Sequence, residues 1–106
     1  MESNLQGIEK IFAKMEKDGW TTNGGLKWGF FFISQNKEMS MNIFNEMKDY
    51  NYNIEDLHQN DDGTWTLQVS KFEFLTPDKL NRRNISFNDL ASRYEAVYDG
   101  WDVGKK

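Results

Sequence analysis

Apolar side chains along this chain change their spacing from one segment to the next, and each change marks a new element. Leu5, Ile8, Phe12 and Met15 recur at helical intervals, with Ile11 beside them and Glu9, Lys10, Lys14 and Glu16 on other faces. This spacing predicts an amphipathic helix within residues 1–19, ended by Gly19. A polar, Gly-rich connector, Thr21 to Gly25, leads into a strand over Leu26 to Ser34. That strand is apolar on both faces, with Leu26, Trp28, Phe30 and Phe32 on one and Phe31 and Ile33 on the other. Such a strand must be covered on both sides or leave an adhesive patch.

A second helix is expected from Lys37 to Tyr50, where Met39, Ile43, Met47 and Tyr50 fall three or four apart. Tyr52 to Gln59 reads as a weaker strand, and Asn60-Asp61-Asp62-Gly63 as the hairpin turn that follows it. In the next strand, Thr64 to Leu75, the residues Trp65, Leu67 and Val69 alternate inward, whereas Phe72 and Phe74 have the opposite parity. A bulge near Ser70-Lys71 restores all five to one face; without it, Phe72 and Phe74 serve the other side. Thr76-Pro77 is a helix start, and Leu80, Phe87 and Tyr94 sit seven apart on the helix it opens. Asn84 and Ser86 weaken the middle of that helix and leave room for a break.

The chain closes with Leu90-Ala91-Ser92-Arg93-Tyr94-Glu95, a helix end, followed by a strand through Val97 and Tyr98 to Trp101. Gly100 frees the backbone there to turn or approach a neighbour. The Tyr98-Asp99-Gly100-Trp101 tetrapeptide, placed after such a helix, resembles the C-terminal core of the regulator of ribonuclease E activity B family. That likeness extends back to about Leu26 through the order and spacing of elements.

Taken together, the elements form a single α+β domain over residues 1–106, with a helix in 1–19 and a core in 26–103. Two strand–helix–strand units joined by a hairpin predict a ferredoxin-like βαββαβ antiparallel sheet with the first and third strands central. The resembled family implies the same fold. The additional N-terminal helix is expected to cover the second face of the sheet, or that face to make a homodimer.

The chain has 17 acidic and 13 basic residues, a formal charge of −4, and the imbalance is local. Between Asn51 and Thr76, Glu55, Asp56, Asp61, Asp62 and Glu73 face Lys71 alone. Lys79 with Arg82-Arg83 is the only basic cluster, too little for phosphate-backbone binding, so direct nucleic-acid binding is not expected. No apolar run approaches the ~20 residues of a membrane span, and the N-terminus lacks the pattern of a signal peptide. With no cysteine in 106 residues, a cytoplasmic domain is expected.

Few residues of the chain carry a pattern that chemistry would need. His58 is the sole histidine and reads as an edge or surface residue, so no zinc site and no cofactor are expected. Asn60 to Gly63 lacks the alternating ligands of a calcium loop. Thr22 to Lys27 precedes a strand instead of opening a helix, so it is not a phosphate loop. Glu55 and Asp56 are expected on opposite sides of their strand, unsuited to paired acid–base work.

A non-enzymatic protein-binding or regulatory domain is therefore expected. The family resemblance implies that its partner is an endoribonuclease, restrained by binding. Candidate contacts are the acids Glu55, Asp56, Asp61 and Asp62 together with Tyr98, Asp99 and Trp101, since Trp and Tyr dominate interface hot spots. The competing assignment puts Trp28, Trp65 and Trp101 in the core, with Trp20 near the surface, and it is the favoured one. Members of the family tend to carry an acidic C-terminal extension, whereas this sequence ends Val103-Gly104-Lys105-Lys106. The alternatives are a toxin-immunity-type binding module, or a small-ligand-binding domain with an apolar cavity and converging polar groups.

Overall fold

A computed structural model describes residues 3–21 and 25–104; connector residues 22–24, read above as no phosphate loop, and the final two lysines lie outside the described residues. Its elements are α1 (Leu5–Lys17), β1 (Leu26–Ser34), α2 (Lys37–Met47) with a tight helical turn at Lys48–Tyr50, β2 (Asn53–Gln59), β3 (Trp65–Glu73), α3 (Pro77–Arg93) and β4 (Val97–Gly104). Each α-helix begins with the same device, a side-chain oxygen that accepts a first-turn N–H. Asn4 accepts from Gly7, Asn36 from Met39, and Thr76 from Lys79, the last followed by Pro77.

The four strands make one antiparallel sheet in the order β2-β3-β1-β4, so the first and third strands are central, as their apolar character predicts. β1 and β3 pair without interruption from Leu26 opposite Glu73 to Ser34 opposite Trp65. No bulge forms at Ser70-Lys71, and Phe72 consequently turns to the opposite face from Leu67 and Val69, 55% exposed. Phe74 lies beyond the strand, with the Lys79 ammonium 5.6 Å from its ring centroid.

All three helices occupy the face that carries Trp28, Phe30 and Phe32. Phe87 of α3 is the hub, its ring centroid 5.0 Å from Phe30, 5.4 Å from Phe32, 5.9 Å from Tyr52 and 5.6 Å from Tyr98. Edge-to-face pairs of this kind add about 0.5–1.5 kcal/mol each beyond the area they bury. α1 joins this side as well. Its buried stripe of Ile8, Phe12 and Met15 packs beside α3, and Phe12 stacks on Trp28 at 5.7 Å and 18°. The expectation that the N-terminal helix covers the second face is thus corrected. The two crossover helices leave the Trp28 end of β1 uncovered on their own side, and α1 fills that gap.

α3 runs unbroken for 17 residues, because the polar residue in its middle has a structural partner. Asn84 is fully buried, and its Oδ1 accepts a hydrogen bond from the Tyr98 hydroxyl at 2.6 Å. β4 reaches this contact through an irregularity. Phe32 pairs with Tyr98 and Phe31 with Gly100, so Asp99 is the extra residue of a bulge. Tyr98 and Trp101 are three apart and would point to opposite faces of a regular strand; the bulge turns both toward the helices. Gly100 adopts φ 134°, which L-residues rarely tolerate.

Tyr52 sits under α3, where Arg83 donates to its hydroxyl at 2.6 Å while also clamping Glu73 at 2.6 and 2.9 Å. Burial pushes the Tyr52 phenol up to about 12, against the pull of the Arg83 guanidinium. Burial also raises the Tyr98 phenol.

Two outcomes follow from this packing. Gly100→Ala lowers the unfolding free energy by about 1–3 kcal/mol through backbone strain, since open space surrounds the added methyl, whereas Gly104→Ala stays within about 0.5 kcal/mol. Urea titrations of both variants check this, and equal midpoints contradict it. The second outcome concerns alkaline pH. The folded state holds the Tyr52 proton to about 12, while the unfolded chain releases it near the ordinary value of 10. Stability is therefore intact below pH 10 and declines as pH rises toward 12. Tyr52→Phe should make that decline shallower by about 1.4 kcal/mol per pH unit. Parallel slopes for variant and parent reject the assignment.

Candidate protein-binding surface

One-sided helix packing leaves the other face of the sheet open. Within β1, Phe30 and Phe32 are fully buried, while Phe31 and Ile33 between and beside them remain half-buried. Val97 pairs with Ile33 and is 55% exposed, and Phe72 is equally exposed across from Lys27. Side chains of three adjacent strands thus present apolar surface that no element among the described residues covers.

Polar groups interrupt it at the β2 side. The Glu55 carboxylate receives hydrogen bonds from Lys27 Nζ at 2.8 Å and from Ser70 Oγ at 2.5 Å. The Lys27 ammonium, helped by Ser70, holds this carboxyl below the usual glutamate range, so it stays ionised in mildly acidic solution. Asp56 pairs with Gln68 across the ladder and bonds His58 Nδ1 at 2.8 Å. Contrary to expectation, Glu55 and Asp56 stand on the same face. The register shifts between Ile54 and Asp56, and the extra residue, Glu55, cancels the normal alternation.

A shallow concavity of about 210 Å³ opens between these residues and β4, lined by Lys27, Gly29, Glu55, Gln68, Ser70 and Asp102 among others. Gly29 has a specific place here. A methyl group at this position would lie 2.2 Å from Asp102 Oδ1, so the missing side chain is what lets the Asp102 carboxylate lean over the sheet.

The remaining candidates are scattered. Asp61 and Asp62 lie exposed in the β2–β3 turn. Asp62 accepts from the Thr64 hydroxyl at 2.6 Å and from its N–H at 3.0 Å, and these bonds lower its pKa. Its geometry is that of a turn-stabilising aspartate. Asp99 is exposed at the β4 bulge, at the opposite edge of the sheet from β2. Tyr98 is 1% exposed, and burial removes it from the contact residues. Trp101 is half-buried, its ring 5.7 Å from Trp28, and packs against the core from the helix side. The structure therefore gathers Glu55 and Asp56 and separates them from Asp99 and Trp101.

Lys27, Ser70, Phe72, Val97 and Asp102 are the contributors that sequence reasoning missed. Alternation alone carries the signal for Phe72, whose parity was visible. Val97 and Asp102 needed the bulge between them, since they fall on one face only because the register shifts.

Among the described residues, no group of three or more His, Asp or Glu converges to hold a metal ion. No helix among them is long and apolar enough to cross a membrane. No curated protein matches the chain. The family model for regulator of ribonuclease activity B matches residues 6–103, from the first turn of α1 into the end of β4, and the chain belongs to that family.

Proposed function

We propose that this protein restrains an endoribonuclease by binding it through the open sheet face, without chemistry of its own and within the cytoplasm. Family membership supports the regulatory role. The observation that carries the surface assignment is the placement of every helix on one side, which leaves Phe31, Ile33, Phe72 and Val97 without cover. Phe31, Ile33 and Val97 form one apolar cluster, and Phe72 stands at the other end of the sheet, beyond the row of Gly29, Ser70 and Asp102; exposed apolar side chains with polar neighbours are the usual mark of a protein-binding site. The acids Glu55 and Asp102, which line the concavity from opposite sides, and Asp56 beside Glu55 suit a basic segment of the partner, and that spread across the sheet favours an extended one.

We read the sheet itself as the ferredoxin-like split. In support, β1 and β2 run parallel with β3 between them, and β3 and β4 run parallel with β1 between them. In this arrangement both crossovers lie on one face, so the second face is free by construction unless an added element covers it.

Saturating protein should slow cleavage of a model RNA by the purified endoribonuclease. The Phe72→Ser, Val97→Lys double variant should need at least about tenfold more protein for the same effect, as expected when interface anchors are lost. Both side chains are 55% exposed, so the variant should melt with the parent. Unimpeded cleavage at saturation rejects the reading. Light scattering on the parent tests the other occupant of this face, a second copy of the chain: a dimer that Val97→Lys dissociates assigns the face to self-association instead.

A further inference from the structure

A second concavity lies away from the sheet's open face. A groove of about 740 Å³ runs between α2 with its following turn and α3, with the end of β3 as its base. Met47, Leu75, Phe87 and Leu90 form a buried apolar floor. Tyr50, 67% exposed, and Phe74, 45% exposed, stand at the rim.

The charge of this groove opposes that of the chain. Lys71, Lys79, Arg82, Arg83 and Arg93 line it against Glu46 and Glu73, in a protein of net charge −4. The three arginines are already engaged. Arg83 is clamped on Glu73 at 2.6 Å, Arg82 pairs with Asp78 at 2.8 Å, and Arg93 pairs with Glu46 at 3.1 Å. The two lysines are not. Among the described residues neither is ion-paired; Lys71 lies over the Tyr52 ring at 5.1 Å and Lys79 over the Phe74 ring at 5.6 Å. Two available ammonium groups thus flank an apolar trough.

We propose that this groove binds an acidic peptide segment of a partner protein, seating an aromatic or aliphatic side chain on the Met47–Leu75–Phe87–Leu90 floor and carboxylates against Lys71 and Lys79. Charge complementarity selects the acidic ligand. The ring faces select peptide over single-stranded nucleic acid. Stacked bases need free aromatic faces; Tyr52 is buried beneath Lys71, and Lys79 lies over the Phe74 ring, so among the groove's rim rings Tyr50 alone carries no cation. A volume of about 740 Å³ lies within the usual range for ligand sites and accepts a few extended residues. This assignment is independent of the sheet-face reading.

The probe is a fluorescein-labelled dodecapeptide that alternates Glu and Asp with Leu and Phe, followed by anisotropy on the full chain. Binding is expected, weakened at least about tenfold by Lys71→Glu with Lys79→Glu and by replacing the peptide's acids with Gln and Asn. It should also weaken with salt. The Phe72→Ser, Val97→Lys variant should bind the peptide as the parent does, which separates this groove from the sheet face. No binding, equal binding of the amide peptide, or unchanged binding by the lysine variant overturns the proposal. Tighter binding of a twelve-nucleotide oligouridylate than of the peptide overturns it in favour of nucleic acid. The lysine variant should melt with the parent, which keeps a negative result interpretable.

Discussion

A single aromatic ring organises this molecule. Phe87 touches Phe30 and Phe32 from β1, Tyr52 from the residue just before β2, and Tyr98 from β4, so α3 is fixed at one point against two strands and the entry to a third. Because those contacts consume the inward face of β1, the helices have only one side on which to bury their stripes. α1 follows the same constraint, placing Phe12 on Trp28 instead of crossing to the far side. The uncovered face is a consequence of that packing, and the regulatory surface proposed for this protein is that consequence put to use.

Two departures from strand regularity decide what the open face carries. Beside Gly100 the β4 bulge brings Tyr98 and Trp101 to the same side, which gives the Oδ1 of buried Asn84 its donor and screens Trp28. It also returns Asp102 to the open side, over the gap that Gly29 leaves. At Glu55 the β2 bulge places two consecutive acids together, where one ties Lys27 to Ser70 and the next engages His58. The Tyr98-Asp99-Gly100-Trp101 signature thus has a mechanical meaning: it is the shortest sequence that turns two aromatic rings inward across a one-residue bulge.

Much of the architecture was legible because hydrophobic period is a strong signal. The helices at Leu5–Lys17, Lys37–Met47 and Pro77–Arg93 and the hairpin turn at Asn60–Gly63 follow from spacing and turn chemistry. What failed was whatever depends on a partner distant in sequence. Asn84 looked like a helix breaker because its hydrogen bond from Tyr98 is invisible to local pattern. The placement of α1 could not be read, since its apolar stripe fits either face of the sheet equally well. Glu55 and Asp56 were separated by alternation and reunited by a bulge. The groove between α2 and α3 collects residues from three elements, and only its Arg82-Arg83 and Lys79 cluster was visible in advance.

The two faces then divide the surface chemistry. One is apolar with acidic neighbours, the other a basic trough with an apolar floor, so the molecule presents opposite charge on two separate surfaces. The most direct test of the central claim is cross-saturation transfer from the endoribonuclease to the isotope-labelled protein in their complex. Signal loss is expected only on the open face, strongest at Phe31, Ile33, Phe72 and Val97. Loss confined to the exposed sides of α1 and α3, with those four residues unaffected, would contradict it.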